Sequence, residues 1–306
     1  MAQFRPGIRV SCQQTLKAPI GAVGTGVHTG ARVSVRLCPA QAGTGIIFRR
    51  VDLGVDLRAR YDLVADTRLC TLIADPANPA ARVGTIEHVM AAFCATDIDN
   101  AVVEVDGPEL PVFDGSAAPY SFLIDCAGTV PLAASRPVIE VLRPVRVAHG
   151  SAWAELAPLS PDEPDGLHLT MTIEFPAPAI GRQSRSLWLT EDAFRREIAR
   201  ARTFALAEEI EALREAGLAR GGSLGNAVVV DGAKVLNPGG LRFGDEFVRH
   251  KLLDAVGDMA LAGAPLAARF TGHRSGHALN NRLLRALMAD ASAWCWAQEA
   301  GWRQAA

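Results

Sequence analysis

Along "EFVRHKLLDAVGD" (residues 246–258), His250, Asp254 and Asp258 follow one another at four-residue steps. In a helix, residues four apart lie one above the other on one face. An imidazole and carboxylates so aligned are either a solvated polar face with a His–Asp contact or part of a metal site. The pattern alone arises often by chance. A second pair, Glu87 and His88 in "TIEHVM", adds what a metal site still lacks. A catalytic zinc takes three protein ligands and keeps a position open for water. His88, His250 and Asp254 make such a set, and two neutral imidazoles with one carboxylate leave it net positive. Glu87, beside a ligand without being one, is suited to take a proton from water. The plain alternative is a helix-start acid beside a core histidine. His277, in "RSGHALNN", could donate a proton to a leaving amine, with Asp258 orienting its ring. Its plain alternative is a helix-start histidine.

Helices and strands must bring these residues together. "ARVSVRL" (31–37) alternates, with Val33, Val35 and Leu37 on one face, and reads as a strand. "GIIFRRVDL" (45–53) and "NAVVEVDG" (100–107) read the same way, "TIEHVMAAFCA" (85–95) as a helix, and "SFLIDCAG" after the Gly/Pro-rich loop 107–120 as another. "VPLAASRP" reads as a linker. Strands are expected at 138–148, 151–158 and 167–175, then a helix over 190–204 with a Thr N-cap. A glycine-stopped helix, a short strand at 226–232, and helices at 245–262 and about 277–297 complete the chain. In the first of those two helices Leu252, Val256, Met259 and Ala260 form the apolar stripe, away from the polar face. Strands precede helices in both halves, which argues α+β domains packed together rather than a parallel βαβ array. The domains are set at 1–133, carrying Glu87 and His88, and 138–306, carrying His250, Asp254 and His277.

The chain has 306 residues, 49% hydrophobic and 21% charged, with a formal net charge of -2 and no block of like charges. That speaks against a basic field for nucleic acid. No apolar run approaches the roughly 20 residues of a membrane span, and "MAQFRPGIRVSCQQTL" has no signal-peptide core. A cytoplasmic location is expected. The six cysteines lack a C-x-x-C pair and read as free, mainly core thiols. "GAVGTGVHTG" (21–30) is followed by a strand, not a helix, which rejects a dinucleotide loop. "RGGSLGNA" (220–227) fits an anion-binding backbone nest or, equally, a helix cap and turn. Lys251 could reach an anionic group or be an ordinary surface charge, and His149 and His168 receive no role.

Taken in order, "TIEHVMAA", "DGSAAPY", "ARARTF", "LRFGDEFVRHKLLDAVGDMAL" and "SGHALNNRLL" make the chain resemble the UDP-3-O-acyl-N-acetylglucosamine deacetylases, zinc enzymes of the committed step of lipid A synthesis. The resemblance runs from "VGTGVHTG" to the last helix. Val27 stands where a leucine is common and Tyr120 where a phenylalanine is, neither in the chemistry. The resemblance implies two α+β domains, each a sheet with helices on one side, with the active site between them. It implies His88, His250 and Asp254 as zinc ligands, Glu87 as general base, and His277 with its partner Asp258 on the leaving amine or the oxyanion. Thr203 would help hold the oxyanion. Lys251, Phe204 and Cys70 would contact substrate. An insertion at about 204–230 would form the acyl-chain passage, with Leu206, Ile210, Leu213 and Leu218 as apolar lining, although ordinary packing would use them equally well.

The expected reaction is hydrolysis of the N-acetyl group to acetate and a free amine, with a bell-shaped pH–rate profile. The resemblance further implies one zinc ion and a UDP-linked acylated amino sugar as partner; a set of two nitrogens and one oxygen accepts iron(II) as well, and a monomer is expected. Two other classes stay open. A different zinc hydrolase is opposed by the absence of H-E-x-x-H. A binding protein that has lost its chemistry is opposed by the presence of every proposed catalytic side chain. The C-terminal "AQEAGWRQAA" is a further candidate, as a handle for proteolysis.

Overall fold

The computed structural model describes residues 12–297, so most of the C-terminal candidate handle lies outside the described residues. The alternation of Arg32–Pro39 buries Val33, Val35 and Leu37. This strand sits in a five-stranded sheet ordered Ile20–Thr25, Arg32–Pro39, Ala101–Val105, Ile46–Arg50 and Val55–Arg58. Its pairs are antiparallel except Ile46–Arg50 with Ala101–Val105. Three short strands, Val64–Asp66, Leu72–Asp75 and Asn78–Val83, form a separate small sheet that leads into the Glu87–Ala95 helix.

The second half builds a seven-stranded sheet around Leu266–His273. That strand pairs antiparallel with Ala152–Ala157 and parallel with Leu167–Glu174 and Ile139–Val141. The sequence reading passed over it and over its neighbour-but-one, Arg182–Trp188. Arg182–Trp188 is polar on both faces up to Ser186 and turns apolar only at Leu187 and Trp188, so it carries no hydrophobic period. "LAARFTGH" sits between two strong helical signals, and Ala267, Ala268 and Gly272 weaken its apolar alternation. Strands and helices mix in an α+β manner, as expected.

Three boundaries differ most from expectation. "VPLAAS" is not a linker: Thr129–Ser135 is a strand paired antiparallel with Cys12–Leu16. Its small residues alternate half-buried with exposed, and backbone pairing rather than side-chain bulk holds it. The helix expected over 190–204 ends early. Thr190 Oγ1 caps Glu191–Ala193, and a π-turn over Phe194–Ile198 releases the chain before Thr203. The last helix is His277–Ala289, after which Trp294–Trp296 returns as a strand on Ile139–Val141. Of the six cysteines only Cys70 is fully buried, and Cys12 and Cys126 are exposed. No helix among the described residues is long and apolar enough to cross a membrane.

The Glu246–Ala260 helix lies over Leu167–Glu174 and packs on Glu87–Ala95 from the first half. It has no solvent side. His250, Asp254 and Asp258 are 2–3% exposed, like the apolar stripe beside them. Burying Leu252, Leu253, Val256 and Met259 contributes roughly 1.5–3 kcal/mol each, which offsets the desolvation of the polar row. A solvated face is therefore ruled out, and the polar row needs partners inside the protein.

Candidate active site

Gly257 is where the two helices touch. A Cβ there would lie 2.0 Å from the carbonyl oxygen of Glu87, so only glycine lets the backbones come this close. The close approach sets His88 against His250, edge to face with ring centroids 5.2 Å apart. His250 Nε2 and His88 Nε2 lie 3.3 and 3.8 Å from Asp254 Oδ1. One ligand atom from each residue falls within 4.8 Å of the others. His250 Nδ1 donates to the Ala201 carbonyl at 3.0 Å, which leaves the Nε2 lone pair facing Asp254.

Charge at the cluster suits a cation. Burial, reinforced by His250, lowers His88 to about 3. Burial also lowers His250. Both imidazoles are thus neutral and able to ligate at neutral pH. Burial alone would raise Asp254, but His250, Lys251 and His277 hold it well below the usual carboxylate range. Since His250 is itself neutral, the ammonium of Lys251, donating to Asp254 Oδ2 at 2.8 Å, is the nearest charge that does so. Asp254 Oδ1 is buried with no hydrogen-bond partner, as is His88 Nδ1. A buried carboxylate oxygen left bare is costly, and a divalent ion between the two imidazoles would satisfy it. The residues fit a metal.

Glu87 and His277 flank the cluster. The Thr71 amide donates to Glu87 Oε2 at 3.0 Å. Burial, opposed by His277 and aided by Asp254, pushes the Glu87 carboxyl up to about 7. Burial would lower His277. The charge of Asp258 and its hydrogen bond to His277 Nδ1 at 2.9 Å outweigh that and bring it to about 9. Asp258 is in turn held by Thr71 Oγ1 at 2.6 Å and Asn280 Nδ2 at 2.8 Å. A carboxyl that loses its proton near neutrality beside an imidazolium that keeps one is a base–acid pair.

The sequence reading missed Thr71 and Asn280. Asn280 stands three residues after His277, one turn along the same helix, and that spacing was a usable signal. Thr71 had none, because it meets Asp258 across 187 positions.

A cavity of about 650 Å³ opens over the cluster and is lined by Glu87, His250, Asp254, His277, Thr203, Phe204, Lys251 and Leu206. Thr203 is fixed on both sides: its amide donates to the Gly115 carbonyl and its carbonyl accepts from Val228, each at 2.8 Å. Phe204 stands edge-on to Phe247 and Phe175, with Lys251 Nζ 5.7 Å from its ring centre. Cys70 is buried and, like Ile210, lies outside the lining. The Ala207–Glu215 helix, which carries Ile210 and Leu213, has no fully buried residue. His149, Arg274 and Arg282 give the cavity a basic side that the sequence reading did not assign.

Below the site, Glu246 is completely buried. It accepts from the Arg202 amide and guanidinium and from the Arg242 amide. Arg202 lies between Ala201, which holds His250, and Thr203. Burial would raise Glu246, but the Arg202 bonds dominate and lower it. Its ionisation therefore contributes stability above the ordinary value of 4.5, lost as pH falls below that value. Glu246→Gln should cost about 3–5 kcal/mol at pH 7 by stranding a buried guanidinium. It should also flatten the acid limb of stability, as urea midpoints at pH 7 and pH 4 would register.

Comparison with known proteins bears on what this site does. A family model described as UDP-3-O-acyl N-acetylglycosamine deacetylase matches residues 13–289. Proteins named UDP-3-O-acyl-N-acetylglucosamine deacetylase are similar along nearly the whole chain. The one from Chromobacterium violaceum is 49% identical over 287 residues, 92% of each chain. The one from Idiomarina loihiensis is 47% identical over 286 residues, 92% of this chain and 91% of its own. A third, from Anaeromyxobacter sp., is 48% identical over 278 residues, 91% and 89%.

Proposed function

The chain belongs to the UDP-3-O-acyl N-acetylglycosamine deacetylase family, and we propose that it hydrolyses the N-acetyl group of UDP-3-O-acyl-N-acetylglucosamine, the committed step of lipid A biosynthesis. The observation that carries this reading is the buried trio of His88, His250 and Asp254 with Glu87 and His277 on its flanks. In this reading the trio holds zinc, and its two nitrogens and one oxygen would accept iron(II) as well. A divalent ion held there supplies Lewis-acid polarisation of the amide carbonyl and makes water a stronger acid.

The chain's own groups do the rest. Glu87 accepts the proton of the attacking water. Thr203 and the His277 imidazolium donate to the oxygen that gains charge as the carbonyl carbon becomes tetrahedral. The C–N bond then breaks, His277 delivers a proton to the departing nitrogen, and acetate and the free amino sugar leave. Asp258 keeps the His277 ring aimed, supported by Thr71 and Asn280. Lys251 and Phe204 seat the sugar, and the basic side formed by His149, Arg274 and Arg282 suits a diphosphate. We read the chain as two domains, 1–133 and 138–306, and as a cytoplasmic monomer, since one chain supplies every group named.

The test is acetate release from a UDP-linked 3-O-acyl-N-acetylglucosamine by metal-stripped protein, with and without one equivalent of zinc. Restored release supports reaction, substrate class and metal together. Tight zinc binding without release points to another acylated substrate.

The passage is tested separately. Leu206 lines the cavity where the 204–230 insertion begins, and each buried CH2 of an acyl chain gains about 0.8 kcal/mol there. Leu206→Asp should raise KM for long-acyl substrates about tenfold or more and leave short-acyl substrates nearly unchanged. Equal KM changes for both would remove Leu206 from the passage.

A further inference from the structure

Glu109 takes no part in the chemistry above, yet its carboxylate is 4% exposed and receives four hydrogen bonds. Oε1 accepts from the His28 amide at 2.9 Å and from Thr85 Oγ1 at 3.1 Å. Oε2 accepts from the Thr29 amide and Thr29 Oγ1, both at 2.9 Å. The donors come from two segments with different tasks, Thr85 from one and His28 with Thr29 from the other.

Thr85 is two residues before Glu87 and three before His88. It holds a left-handed backbone, φ 56°, which a β-branched residue adopts only when its surroundings impose it. Its helix has no side-chain cap of its own. The direction in which Glu87 and His88 leave this turn therefore depends on what fixes Thr85. One fixing point is the pair of backbone bonds between Gly84 and the Glu109 segment, Gly84 N to Pro108 O at 2.9 Å and Leu110 N to Gly84 O at 3.1 Å. The Ile86 amide on the Thr71 carbonyl at 3.4 Å is a second, and the Glu109 carboxylate, the one that reaches the Thr85 side chain, is a third.

The loop Gly26–Gly30 faces the opposite way. Its Val27 and His28 carbonyls accept from the Gly221 and Arg220 amides, at 3.0 and 3.2 Å. Those two residues lie in the 204–230 insertion. The fit is close: a Cβ on Gly221 would lie 2.3 Å from the Gly26 carbonyl oxygen, and one on Gly26 would lie 2.4 Å from Glu109 Oε2.

We propose that Glu109 is a positioning residue that joins the turn delivering Glu87 and His88 to the loop that seats the insertion, so that one carboxylate sets both the base geometry and the acyl preference. The acyl half of this proposal rests on the passage reading above. All four partners donate, so a carboxamide would turn its NH2 toward two of them. Glu109→Gln should therefore fail as a conservative replacement.

The experiment compares Thr85→Val, Thr29→Val and Glu109→Gln with parent enzyme loaded with zinc, on long- and short-acyl substrates, alongside bound zinc per chain. The first two keep side-chain shape: Thr85→Val removes the one bond from that turn, and Thr29→Val removes the side-chain bond from the loop while the His28 and Thr29 amides still donate, so both can be read even if Glu109→Gln does not fold. Thr85→Val should lower kcat about tenfold on both substrates, with zinc still at one per chain and the long-to-short KM ratio unchanged. Thr29→Val should keep kcat within about twofold and shift that KM ratio about threefold or more. Glu109→Gln, where folded, should do both. A parent-like kcat in Thr85→Val, or a parent-like KM ratio in both Thr29→Val and a folded Glu109→Gln, overturns the proposal. Absence of acetate release from the parent would instead overturn the functional reading itself.

Discussion

Glu87→Gln should lower kcat by about two to four orders of magnitude, the usual worth of a positioned general base, while zinc stays at one per chain. The stoichiometry is expected to hold because the buried trio proposed to hold the ion is His88, His250 and Asp254, and Glu87 stands outside it. Local geometry should hold too, since a carboxamide oxygen can still accept from the Thr71 amide. A second measurement excludes general damage. In the metal-free protein the Glu87 carboxyl sits at about 7, above its ordinary 4.5. The folded chain thus binds this proton more tightly than the unfolded chain does. Its stability is complete below about pH 4.5 and declines as pH rises towards 7. Glutamine has no such proton to lose. The metal-free variant should match the parent at pH 4 and exceed it at pH 8 by about 1–3 kcal/mol. A variant that is more stable yet nearly inactive assigns the loss to chemistry. Near-parent kcat with full zinc would take the base role from Glu87.

The contrast between what the sequence revealed and what it hid follows from the range of the interactions. That His88, His250 and Asp254 come together was legible because His250 and Asp254 share one helix and four-residue spacing is a local property. His88 was legible through its neighbour Glu87. The paired strands around Val33, Val35 and Leu37 showed the same kind of local period. Thr71 was invisible because its two side-chain bonds run to Asp258 and His277, 187 and 206 positions away. The strand Thr129–Ser135 looked like a linker because its side chains are small, and its pairing with Cys12–Leu16 is a backbone fact with little side-chain signature. Glu109 read as part of a Gly/Pro-rich loop. Its importance lies in donors from residues 28, 29 and 85, which no window of sequence brings together. What remained hidden was mostly the support of the site and little of its chemistry.

Gly257→Ala is the change that should separate these two levels most sharply. Alanine is the better helix former by about 1 kcal/mol, and Gly257 sits inside the Glu246–Ala260 helix. Propensity alone would predict a more stable protein. The new methyl, however, would lie 2.0 Å from the Glu87 carbonyl oxygen and 2.7 Å from its carbon, and both are backbone atoms. Neither can rotate aside, so the two helices must move apart. One helix carries His88 and Glu87 and the other His250 and Asp254, so the separation widens the ligand trio directly. Overpacking of this kind costs about 1–3 kcal/mol, which reverses the propensity gain. A displacement near 1 Å costs about a hundredfold in rate, and zinc affinity should fall at least tenfold as the trio opens. Gly244→Ala, where nothing lies within 4 Å of the added methyl, serves as the control and should leave both quantities unchanged. The measurements are zinc competition against a chelator, kcat with saturating zinc, and the urea midpoint. Parent-like values for Gly257→Ala in all three would mean that the helix crossing tolerates a wider gap, and that something other than this glycine sets the distance between base and ligands.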